Sequence, residues 1–121
     1  MSRTVDLFID SDQPLEQVAA ELSDLTGTQL VPSSDRTRFV LHRDGVTAYL
    51  AEHDFIDDDD LPLSEFRFVL SAPVRSNGLI DDSAEVAYLR EVNSALRHRA
   101  QLASLLVIDL ERPDTASTPA Q

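Results

Sequence analysis

Four aspartates stand in a row in the stretch "HDFIDDDDLP", residues 53–62 of a 121-residue chain. From Glu52 to Glu65 there are seven acidic residues and neither Lys nor Arg. Consecutive carboxylates of this kind can hold a cation, solvate a loop, or face a basic partner. The metal reading fails on geometry. A calcium loop spaces its oxygen ligands around a sharp glycine turn, and Asp57, Asp58, Asp59 and Asp60 point alternately in an extended chain, so few of them reach one ion. Asp10 and Asp12 begin like a calcium loop, but Pro14 stands where a ligand is needed. No metal and no cofactor is therefore expected.

Catalytic chemistry finds little to work with. His53 and Asp54 are adjacent, and adjacent side chains of an extended chain face opposite ways, so they do not form a His–Asp pair. His42 falls in a hairpin and His98 near a helix end. A general base needs hydrogen-bond reach to the proton it removes, and none of the three is placed for it by its neighbours. G-x-S-x-G, G-x-x-x-x-G-K-[ST], G-x-G-x-x-G and H-E-x-x-H are all absent. The chain has no cysteine, which removes thiolate catalysis, disulfides and zinc–thiolate sites. A non-enzymatic protein is expected.

The contact reading fits better. Phe55, Ile56, Leu61, Pro62 and Leu63 are interleaved with the acids. Apolar anchors surrounded by charge are what an interface needs, the anchors supplying contact and the charge steering a partner. Phe55 and Leu61 have an equally simple use, which is to tie the segment to its own core. The candidate partner-binding residues are Glu52, Asp54, Phe55, Asp57, Asp58, Asp59, Asp60, Leu61 and Glu65.

Global charge points the same way. Asp and Glu total 22 against 10 basic residues, a formal net charge of −12. Such a chain is repelled by nucleic acid and by anionic lipid, and its favoured macromolecular partner is basic. Every basic residue is arginine, which fits a GC-rich genome. Arg36, Arg38 and Arg43 gather on a hairpin, and Arg97 and Arg99 at a helix end; they are expected to pair with surface acids rather than bind nucleic acid. The N-terminus lacks the apolar core of a signal peptide, and no apolar run spans a bilayer. A cytoplasmic protein with no membrane contact is expected.

Several elements must position these groups. Val5, Leu7 and Ile9 alternate with Asp6, Phe8 and Asp10, a strand. In "SDQPLEQVAAELSDLTG", Leu15, Val18, Ala19, Leu22 and Leu25 recur at helical spacing, Ser11 or Asp12 is a candidate cap, and Gly27 is a natural stop. "TQLVP" is a short extended piece. "RTRFVLHRDGVTAYLAE" reads as a hairpin around Asp44-Gly45. "SEFRFVLSA" is a strand, predicted to turn Phe66, Phe68 and Leu70 one way and Arg67, Val69 and Ser71 the other. Asp82 or Ser83 caps a second helix with Val86, Leu89, Val92 and Leu96 on its apolar stripe. Arg97, His98 and Arg99 stand near its C-terminal end, where positive charge is favoured. "SLLVIDL" is a buried final strand. From Pro113 onward nothing remains to bury.

The expected fold is α+β: a two-layer sandwich of order β-α-β-β-β-α-β, with both helices on one face of a mainly antiparallel sheet, a ferredoxin-like variant. The extra strand suggested by "TQLVP" is left open. One domain is expected over residues 1–112, with a disordered tail over 113–121. The other sheet face is expected to be open or used for contact, with Phe8, Val40, Tyr49 and Val69 on it.

On "VDLFIDSDQPLEQVAAEL", "HDFIDDDDLPLSEFRFVLS" and "YLREVNSALRHR…SLLVIDL", the chain resembles the small acidic α/β immunity proteins of bacterial polymorphic-toxin and contact-inhibition systems. That resemblance implies a cytoplasmic binding protein that blocks a cognate toxin, often a nuclease with a basic active-site surface. The alternatives are a homodimeric assembly module using the open sheet face and a small enzyme of a type without a motif.

Overall fold

A computed structural model of the chain describes residues 4–35, 37–43, 45–52, 66–75, 83–100 and 102–108. Its elements are β1 (Thr4–Ile9), α1 (Leu15–Thr26), β2 (Val31–Pro32), β3 (Arg38–Arg43), β4 (Val46–Glu52), β5 (Phe68–Pro73), α2 (Ala84–Ala95) and β6 (Ser104–Ile108), with a π-helical turn at Leu96–Ala100 after α2. The six strands form one sheet in the order β2-β3-β4-β5-β1-β6, every neighbouring pair antiparallel. Both helices pack on one face of it.

Within that order α2 joins β5 to β6 with β1 paired between them, a split βαβ unit, whereas α1 leads from β1 to β2 at the far edge of the sheet. The β2–β3 pair extends the sheet at the β4 side. β2 holds only two residues, pairing Val31 with Val40 and Pro32 with Phe39. Proline has no N–H for a ladder and is tolerated at an edge, so "TQLVP" is a strand of minimal length. It adds a fourth strand between the helices to the three expected.

α1 spans the residues its apolar period predicts, but it starts differently. Its N-cap is Pro14, with no side-chain capping bond. Ser11 Oγ accepts from the Gln13 backbone N–H instead, at 3.2 Å. Gly27 ends the helix in the left-handed conformation at φ 69°, its N–H donating to Ser23 O at 2.9 Å. α2 is capped by Ser83, whose hydroxyl accepts from Val86 N–H at 3.2 Å. The hairpin closes with Arg43 opposite Val46, and Gly45 takes φ 82° as a primed turn requires.

The main core lies between helices and sheet. Val5, Leu7 and Ile9 of β1, Leu50 of β4, and Phe68, Leu70 and Ala72 of β5 meet Val18 and Leu22 of α1 and Val86, Leu89 and Val92 of α2. Leu7 is in register with Leu70 on one side and Leu106 on the other. Strand alternation sends Phe8, Val40, Tyr49 and Val69 to the second face, as expected. That face is not uniformly open: Phe8, Val69 and Val107 form a small second core, with Phe66 and Leu105 packed against it. Phe66 thus departs from the prediction that grouped it with Phe68 and Leu70, because β5 begins only at Phe68 and the alternation does not extend back to Phe66. Asp6, on the same face, is 4% exposed and accepts from Thr4 Oγ1 at 3.0 Å.

Candidate partner-binding site

The acidic segment joins β4 to β5, two adjacent antiparallel strands in the middle of the sheet. Glu52 and Phe68 are the last register pair, so both ends of the connection are held side by side on the sheet. Arg67 closes its base. Its Nε donates to Glu52 Oε1 at 3.3 Å, and its guanidinium lies 5.0 Å from the centre of the Phe68 ring. Its Nη1 reaches Gln13 O at 3.4 Å. One arginine therefore ties together β4, β5 and the β1–α1 connection. That connection carries Asp10 and Asp12, both exposed, so two further carboxylates stand at the same end of the sheet as the root of the acidic segment.

Of the nine residues singled out from sequence, Glu52 is described; its side chain is about half exposed, at 52%. Asp54, Phe55, Asp57, Asp58, Asp59, Asp60, Leu61 and Glu65 lie outside the described residues. So do His53, Asp44, Arg36 and residues 113–121. By sequence Arg67 reads only as a strand residue, with no role at the site. The available signal was its position, the first cation after a long stretch without one.

Four other arginines, Arg38, Arg43, Arg97 and Arg99, serve the scaffold. Arg38 lies over the Tyr49 ring, 4.8 Å from its centre. Arg43 donates to Thr26 O and, at 3.1 Å, to Thr28 Oγ1. Arg99 reaches Leu25 O at 3.4 Å and Arg97 reaches Ser104 O at 3.2 Å. Arg43 and Arg99 thus satisfy carbonyls at the C-terminus of α1, where helical acceptors are unpaired and positive charge is favoured. The sequence had placed Arg99 at the end of its own helix and expected these arginines to pair with acids. Arg38, Arg97 and Arg99 take a ring and backbone carbonyls, because the sheet edge and the α1 terminus offer partners that are already fixed.

The histidines show no catalytic arrangement among the described residues. His42 Nδ1 is 3.0 Å from Thr47 Oγ1, and His98 is exposed on the π-helical turn. Among the described residues no three His, Asp or Glu side chains gather in a way that could hold a metal ion, and no helix is long and apolar enough to cross a membrane. Asp35, in the β2–β3 turn, accepts from Ser33 Oγ at 2.7 Å, Thr37 Oγ1 at 2.8 Å and Thr37 N–H at 3.1 Å. These donors favour the ionised carboxylate and hold its pKa down at about 2.

No family model, no curated protein and no solved structure matches the chain.

Proposed function

We propose that this chain is a non-catalytic binding protein of the immunity type, which occludes a basic surface of a toxin through the acidic connection between β4 and β5. The observation that carries this reading is the segregation of charge: seven acids and no cation from Glu52 to Glu65, inserted between two paired central strands. A segment rooted at both ends loses less conformational freedom on binding than a free tail does. Its carboxylates compete with phosphate for the partner's Arg and Lys side chains. A nuclease, whose active-site surface is basic, suits that competition. The candidate contacts are Glu52, Asp54, Asp57, Asp58, Asp59, Asp60 and Glu65, with Phe55 and Leu61 as anchors.

The test is capture of the partner on the immobilised chain from the native host, followed by expression of that partner in a host lacking both. The expected partner is basic, stops growth alone, and is neutralised by co-expression of the wild-type chain. A captured partner that is acidic, or whose effect on growth the chain leaves unchanged, sinks the reading.

One observation favours a second reading, a homodimer through the β2–β4 end of the second sheet face. Val31 is 56% exposed there and stands in one register row with Val40 and Tyr49. Hydrophobic contact of this kind survives salt, whereas contact through the acidic connection does not. Light scattering at low and high ionic strength separates the two.

A further inference from the structure

The helical layer is narrower than the sheet. Six strands at about 4.8 Å spacing place the outer strand axes roughly 24 Å apart, whereas two helices of about 10 Å diameter cover roughly 20 Å. α2 lies over β1 and β6 and α1 lies over β4. The shortfall falls at β2 and β3, where a groove of about 650 Å³ runs between α1 and the sheet edge. Its floor is apolar, with Leu30 and Phe39 at the bottom, and its α1 wall is low: Ala19, Ala20 and Ser23 face it. Glu16 and Asp24 line its two ends on the same helix. Residues 16, 19, 20, 23 and 24 follow i, i+3, i+4, i+7, i+8 spacing, so they form one stripe. Eight residues at 1.5 Å rise put the two carboxylates about 12 Å apart along the axis. Both are exposed, and among the described residues neither has an ion pair. Among the described residues no cation lines the groove.

We propose that this groove is a second binding site, for an amphipathic helix of a basic protein partner: its apolar stripe would lie on Leu30 and Phe39 and two Arg or Lys side chains, seven or eight residues apart, would meet Glu16 and Asp24. Helix-in-groove recognition needs an apolar floor and spaced anchors, and the groove supplies both. Small residues on α1 let a third helix come close, and charge at both ends fixes its register. A basic occupant is complementary to it, since the charged side chains among the groove's described residues, Glu16 and Asp24, are both carboxylates. The inference stands apart from the role given to the β4–β5 connection, because it uses a different element and a different geometry.

The probe is a synthetic helix-stabilised peptide of about 15 residues with a leucine and alanine stripe and two arginines seven apart, titrated into the full ¹⁵N-labelled chain. Saturable binding is expected, with amide shifts confined to Ala20, Ser23, Gln29, Leu30 and Phe39. Replacing both arginines by glutamate should abolish it. Glu16→Gln with Asp24→Asn should weaken it about 2- to 30-fold, the range for two exposed charge pairs. Ala20→Gln fills the groove from an exposed helical position with only a small loss of helix propensity, and should remove binding while the thermal transition of the chain moves little. Absence of saturable binding overturns the proposal. So does equal binding of the glutamate peptide, or shifts centred on residues 53–65 with the groove amides still; that last result leaves the acidic connection in place as an interface.

Discussion

Arg67 bridges Glu52 and the carbonyl of Gln13, with its Nε 3.3 Å from the Glu52 carboxylate and its Nη1 3.4 Å from Gln13 O. The acidic connection is therefore clasped where it leaves the sheet, and clasped to the loop that carries Asp10 and Asp12. Both side chains of the pair are about half exposed, 46% for Arg67 and 52% for Glu52, so solvent screening keeps the ion pair itself small. Glu52→Gln is expected to cost about 0.5 kcal/mol or less in urea unfolding. Arg67→Ala should cost more, about 1 kcal/mol, because the stacking on Phe68 and the bond to Gln13 are lost with it. Equal costs for the two variants would show that the clasp is an ion pair and nothing more.

Leu70 is fully buried between Leu7 and Leu50 in the register of the central strands. Leu70→Ala removes apolar contact from a site flanked by β1 and β4, whose paired backbones resist collapse into the space. A loss of about 3 kcal/mol is expected, within the usual 2–5 kcal/mol range for such truncations. Val31→Ala, at an exposed edge, should stay within about 0.5 kcal/mol. Chemical denaturation of the two variants checks the contrast.

Ser83 caps α2 through Val86 N–H at 3.2 Å. Ser83→Ala should lower stability by about 1 kcal/mol, and Ser83→Asp should restore most of it, since aspartate is an equally good cap. At α1 the corresponding test has the opposite outcome. Pro14 is the cap residue and makes no side-chain capping bond, so Asp12→Ala is expected to change thermal stability by no more than a few tenths of a kcal/mol.

The contrast between the two caps shows what the sequence carries and what it does not. Helical spacing from Leu15 to Leu25 and strand alternation from Val5 to Ile9 determine which face is buried, and both were legible. Caps depend on local backbone angles: Ser11 and Asp12 were the candidates by residue type, and the backbone places Pro14 there instead. Phe66 was misplaced because alternation holds only within a strand, and nothing in "SEFRF" marks where pairing starts. Long-range partners such as Arg99 with Leu25 O, or Arg67 with Gln13 O, depend on tertiary placement and leave no local trace. The charge of the candidate site was plain in the sequence; its rooting on adjacent strands required the topology.

Asp35 provides a pH test. Its carboxyl pKa in the folded chain is about 2, below the ordinary 3.8, because Ser33 and Thr37 donate to the charged form. The folded state therefore binds this proton less readily than the unfolded state. The stabilising contribution is complete above pH about 4 and is lost as pH falls through about 2. Carboxyl-detected NMR titration should place the Asp35 midpoint near 2, and Thr37→Val, which removes one donor, should move it upward. A midpoint near the ordinary aspartate value would mean the turn hydrogen bonds do not persist in solution.

The most direct measurement of the interface is the association rate with the captured partner as a function of salt, for the wild-type chain and for a variant with Asp57, Asp58, Asp59 and Asp60 all changed to Asn. Steered association falls steeply with ionic strength. The wild-type rate is expected to drop at least about tenfold between 50 mM and 500 mM salt, and the variant is expected to bind more slowly at 50 mM with a much flatter dependence. Identical low-salt rates for the two proteins would contradict a role for the aspartate run in recognition.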